Sequence, residues 1–169
     1  DGDKYYEKYR QLRDKKEADL RHTSQLDEIK GLLGEGIDFM IKKDFDSGYR
    51  MLHEASKTAF TYGFKAEFKE WRIQFLAYGA YANAEAGFLL RKANEHRVKV
   101  FDDRTGYIFS GNNLYSKLHY KRALGYYESL ESLGANPETL KVNPKTGWEK
   151  RLPSKKDIES NPSTQNKSL

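Results

Sequence analysis

An all-α fold of four or five helices, arranged as antiparallel helical hairpins with a small β-hairpin-like insertion and an extended C-terminal tail, is what this sequence predicts. Three observations carry it. Apolar residues recur at helical spacing through most of residues 25–133, with only a few residues between successive runs. Two stretches, 44–55 and 120–130, read alike: a small residue, a bulky apolar one four later, and an apolar or small one three after that (Gly48, Leu52, Ala55; Ala123, Tyr127, Leu130). Residues 98–113 break the helical period.

The first element is charged. Residues 1–24 carry seven basic and six acidic groups, with Tyr5, Tyr6, Tyr9, Leu12 and Leu20 as a thin apolar stripe. A helix that polar needs a neighbour to hold it. His22-Thr23-Ser24 interrupts the pattern and offers Ser24 as an N-cap, with Asp27 and Glu28 in the first turn that follows. A second helix then runs to about Lys43, with Leu26, Ile29, Leu32, Leu33, Gly36, Ile37, Met40 and Ile41 on one face. Asp44-Phe45-Asp46 makes the turn, Asp46 caps a third helix, and Gly63 stops it.

From Lys65 to about Arg97 the spacing predicts one long helix, or two with a kink. Its strip Gly79, Ala80, Ala82, Ala84, Ala86 and Gly87 lets another helix approach closely. Residues 98–109 place two β-favouring runs around Asp-Asp-Arg-Thr-Gly and read as a small hairpin, with an irregular loop as the alternative. Ser110-Gly111-Asn112-Asn113 caps the last helix, Leu114 to Leu133, and Gly134 ends it. The organisation is therefore a charged N-terminal helix at 1–24, a helical-hairpin domain at 25–136 with its insertion at 98–113, and an extended tail at 137–169.

These residues resemble the tetratricopeptide repeat. Gly36 and Phe39 stand in the first helix of one hairpin and Gly48, Leu52 and Ala55 in the second; Ala123, Tyr127 and Leu130, followed by Ala135-Asn136-Pro137, form a second trailing helix. The resemblance implies a protein-binding scaffold, and hence a non-catalytic interaction module or an accessory subunit of a larger assembly. Its concave face would be lined by Tyr49, Tyr78 and Tyr81 together with residues of the basic insertion.

Charge sharpens that expectation. The formal net charge is +5, and residues 91–122 carry eight basic groups against three acidic ones. Arg91, Lys92, Arg97, Arg104, Tyr107, Lys117, Lys121 and Arg122 are the partner-binding candidates of this segment. Basic groups interleaved with aromatics also suit RNA or single-stranded DNA, a second reading. A third is a small helical nuclease or toxin domain using His96 and His119 as an acid and base pair.

Little else points to chemistry. There is no Cys, and none of the four His residues forms a paired ligand motif, so no metal or cofactor is expected. Gly34-Glu35-Gly36 lacks a preceding strand and a phosphate-loop lysine, and Asp44 and Asp46 lack the continuation of a calcium loop. Asn166-Lys167-Ser168 matches a glycosylation triplet but carries no weight alone. No apolar run is long enough to span a bilayer. The chain reads as soluble, its start fitting a processed mature protein of an organelle or secreted space as well as a trimmed one, and its compartment unassigned.

Overall fold

The computed structural model describes residues 2–108 and 113–160. Parts of two expectations, the turn at 109–112 and the end of the tail with its glycosylation triplet, lie outside the described residues. Four long helices dominate: α1 (Gly2–Ile41), α2 (Phe45–Lys65), α3 (Lys69–Glu95) and α4 (Leu114–Ser132). Each packs chiefly on the next in sequence, and α3 sits centrally, with almost every residue from Ala77 to Leu90 buried.

The break expected at residues 22–24 is absent, and α1 runs through it. Core packing overrides the local signal there: His22 is buried against Trp71 and Phe75, with ring centroids 5.4 Å away in each case. Thr23 turns its hydroxyl back to donate to the Asp19 carbonyl (2.7 Å), which reconciles it with the helix. The junction with α2 is tight. A Cβ on Gly36 would lie 2.8 Å from the Leu52 side chain, and one on Gly48 would lie 3.0 Å from the Gly36 carbonyl oxygen.

Asp44, rather than Asp46, is the N-cap of α2 and accepts from the Ser47 N–H at 3.2 Å. Asp46 is drawn elsewhere, accepting from the Phe101 N–H at 2.8 Å. The helix also passes Gly63, which is buried on Phe75 and serves close packing instead of termination. The small-residue strip of α3 behaves as its composition suggests: the Tyr126 ring covers Gly79 and the Tyr120 ring covers Gly87, each where a Cβ would stand.

Three helices end on the same device. The amide two residues past each C-cap donates to a carbonyl in the last turn: Asp44 to Phe39, Val98 to Ala93, and Ala135 to Leu130. The intervening residue must adopt positive φ, and only Gly134 (φ 84°) is a glycine there; Lys43 (64°) and Arg97 (57°) hold it at a cost.

The insertion is a two-stranded antiparallel sheet, β1 (Val100–Asp102) and β2 (Gly106–Ile108), with Asp102 paired to Gly106 across the turn. Over its described residues, 137–160, the expected extended tail is folded instead. A 3-10 turn (Pro137–Thr139), β3 (Lys141–Lys145), β4 (Trp148–Arg151) and α5 (Lys155–Ser160) bury Val142, Leu152 and Ile158. Polar anchors hold this segment to the helices: the Asn143 N–H donates to the Tyr78 hydroxyl (2.8 Å), and the Tyr127 hydroxyl donates to the Pro153 carbonyl. Val142 and Pro144, two residues apart, turn inward on β3, a period too short in length to stand out from its polar neighbours.

Candidate functional site

The predicted partner-binding residues do not share one surface. Tyr49, Tyr78 and Tyr81 line no open face, since each is less than 5% exposed. Their rings fill the core while polar tips find internal partners: Tyr78 receives Asn143, and Tyr81 bonds Glu85. Lys92 pairs with Glu95 (3.5 Å), Arg97 occupies the left-handed position after α3, and Arg104 and Tyr107 belong to the hairpin, where Tyr107 meets Phe101 edge-on. Arg91, Lys117 and Lys121 do converge, around one concavity between α3, α4 and α5. Arg122 instead lines a groove of about 330 Å³ between α2 and α4, beside Phe60, Leu76 and Tyr126.

A buried polar cluster lies between the hairpin and the three packed helices. The Tyr49 hydroxyl is 2.9 Å from His119 Nε2 and 3.1 Å from Asp102 Oδ2, and His119 Nδ1 is 3.1 Å from Asn83 Oδ1. Asn83 Nδ2 donates to Ser56 Oγ and the Gly79 carbonyl, both at 2.8 Å, so its oxygen faces the imidazole as an acceptor. The His119 proton therefore belongs on Nδ1, and Nε2 accepts from Tyr49. Three contacts then share two protons. The single hydroxyl hydrogen of Tyr49 serves His119 or Asp102, not both at once.

Electrostatics follow from burial. His119 is pushed down to about 3, first by burial and then by the charges of Arg122 and His53. His53, 3.9 Å from Asp102 Oδ2, is also lowered, with burial the largest cause. Burial alone would raise Asp102, but hydrogen bonds from the Arg104 N–H and the Tyr49 hydroxyl, and the nearby His53, hold it below its ordinary value. Burial foremost, then the Asp102 charge, raises the Tyr49 phenol. At neutral pH the cluster is thus a neutral histidine, a phenol and a carboxylate, positioned to hold the hairpin against α2 and α4.

The paired acid and base of the nuclease reading are engaged elsewhere. His96 stacks on Phe45 at 5.7 Å, whereas His119 is 3% exposed and faces Tyr49, His53 and Asn83. Sequence reasoning missed Asp102, His53 and Asn83, because the members of the cluster are far apart along the chain: Asp102 is 53 residues from Tyr49, and His119 is 70. No spacing rule announces such a set.

The start of α1 carries a run of large apolar side chains in water. Tyr5, Tyr6, Tyr9, Leu12 and Leu20 are 59–77% exposed. At 3.6 residues per turn they share about a third of the helix circumference, rotated by roughly 130° from the core-facing seam of Ala18, His22, Leu26, Ile29 and Leu33. Of the charged residues from Asp3 to Glu17, Arg13 and Lys16 fall within that same third, and no acidic residue does. The helix meets the body where Asp19 accepts from Trp71 Nε1 (2.7 Å) and from Lys15 (2.6 Å), which also reaches Glu70 (2.8 Å).

No protein-family model, curated protein or solved structure matches the chain. Among the described residues, no helix is long and apolar enough to cross a membrane.

Proposed function

We propose that the chain is a non-catalytic interaction protein, an accessory subunit that docks the exposed arm of α1 against an apolar, acid-rimmed surface of another protein. One observation carries this reading: residues 2–17 form helix with nearly every side chain in water. An isolated helix of that length is marginal, because nucleation is costly and no amphipathic face is buried. Its tyrosine stripe also points away from the core seam, so no bending of the arm onto its own body along that seam would cover it. Tyrosines supply large contact area at low entropy cost, and Arg13 and Lys16 set the charge of the surface they would meet.

The tetratricopeptide-like arrangement is part of the same proposal. Close contact of Gly36 with Leu52, and of Gly48 with the Gly36 carbonyl, supports a hairpin of that kind in α1 and α2. The sealed position of His119 and the stacking of His96 favour structural over catalytic roles for both.

The test is capture from the native source followed by purification of the complex, using wild type and the triple variant Tyr5→Ala, Tyr9→Ala, Leu12→Ala. The variant should keep its helicity and thermal transition, yet fail to form the stoichiometric complex. A variant that assembles as well as wild type would refute the reading.

A further inference from the structure

We propose that the concavity between α3, α4 and α5 binds a phosphate monoester or pyrophosphate group. Its volume is about 270 Å³, open to solvent, walled by Leu124 and Ile158 and charged by Arg91, Lys117 and Lys121 against the single carboxylate of Glu159. Three cations less one carboxylate leave +2, the charge that a phosphate monoester dianion cancels. A carboxylate ligand would leave one cation uncompensated.

The fold holds this charge without relieving it. Lys117 and Lys121 lie one turn apart on α4, where like charges destabilise a helix. Neither they nor Arg91 forms an ion pair among the described residues, whereas Lys15, Lys92, Lys141 and Lys155 each have a carboxylate. Glu159 is shared, since it also acts on Lys155.

Tyr120 completes the wall between Lys117 and Lys121, with its hydroxyl buried beneath the surface. Single-stranded nucleic acid would need a basic track continuing past the site, and here α5 puts Ile158 and the carboxylate of Glu159 in the wall.

This inference is independent of the α1 arm, and its test uses the purified full chain. Pyrophosphate is titrated by calorimetry at about 50 mM salt, where surface charge is incompletely screened. The expected result is saturable 1:1 binding, weakened at least tenfold in Lys117→Gln/Lys121→Gln. Lys150→Gln, which removes a cation seated over Trp148, should bind as wild type does. Absence of saturable binding, or equal weakening by Lys150→Gln, would overturn the proposal. So would a single-stranded oligonucleotide that binds while pyrophosphate fails to displace it.

Discussion

The Tyr49 hydroxyl stands between His119 Nε2 at 2.9 Å and Asp102 Oδ2 at 3.1 Å, so its one hydrogen ties helix α2 either to α4 or to the β1–β2 hairpin. Both histidines near it are held below their ordinary value, His119 at about 3. Unfolding restores them to about 6.5 and lets them bind protons, so the unfolded chain gains protons that the folded chain refuses. Stability is therefore full above that pH and falls as the pH drops through 6.5, with the His119 part continuing to about pH 3. That part amounts to about 2 kcal/mol by pH 5. Asp102, lowered in the fold, adds its own loss at still lower pH. Urea midpoints from pH 7.5 to 4.5 check this, and His119→Asn should flatten the slope by about one proton.

Two helix ends store strain that glycine would release. Lys43 at φ 64° and Arg97 at φ 57° hold the left-handed position that Gly134 occupies without penalty. The conformation costs roughly 1–2 kcal/mol for a residue with a Cβ, partly offset by the greater unfolded-state entropy of glycine. Lys43→Gly should raise stability by about 0.5–1 kcal/mol, read as a higher urea midpoint with an unchanged m-value.

Glycines on α1 divide by what faces them. A Cβ on Gly31 meets nothing within 4 Å, while one on Gly36 would sit 2.8 Å from Leu52 and 3.2 Å from the Gly48 carbonyl oxygen. Gly31→Ala should stabilise by up to about 1 kcal/mol through helix propensity. Gly36→Ala should destabilise by roughly 1–3 kcal/mol, because helix α2 must retreat. Paired thermal melts measure the opposite signs.

Much of the fold was legible because long helices repeat their signal. Leu26, Ile29, Leu33, Ile37 and Met40 mark one face through four turns, and Val100 and Ile108 flank a turn whose Gly106 takes φ 79°. Local cap and stop signals were weaker guides. Ser24 and Gly63 yielded to packing by His22 and Phe75, which lie on other turns or other helices. The 137–160 segment was unreadable because its inward residues are scattered: Val142 on β3, Leu152 in the link after β4, and Ile158 on α5. The concavity was half visible: Lys117 and Lys121 stood out as basic residues one turn apart, but their meeting with Arg91 and Glu159 is a property of tertiary packing. Tyrosine misled, since a residue able to stack on a partner is equally able to fill a core.

Hydrogen exchange of the backbone amides tests the central claim about the α1 arm most directly, measured on the isolated chain and again on the complex purified from the native source. In the isolated chain, amides of residues 2–17 should exchange at close to unfolded rates while those from Ala18 to Met40 are protected, and in the complex the arm amides should become protected as well. An arm already protected in the isolated monomer, or one left unprotected in the complex, would contradict the account.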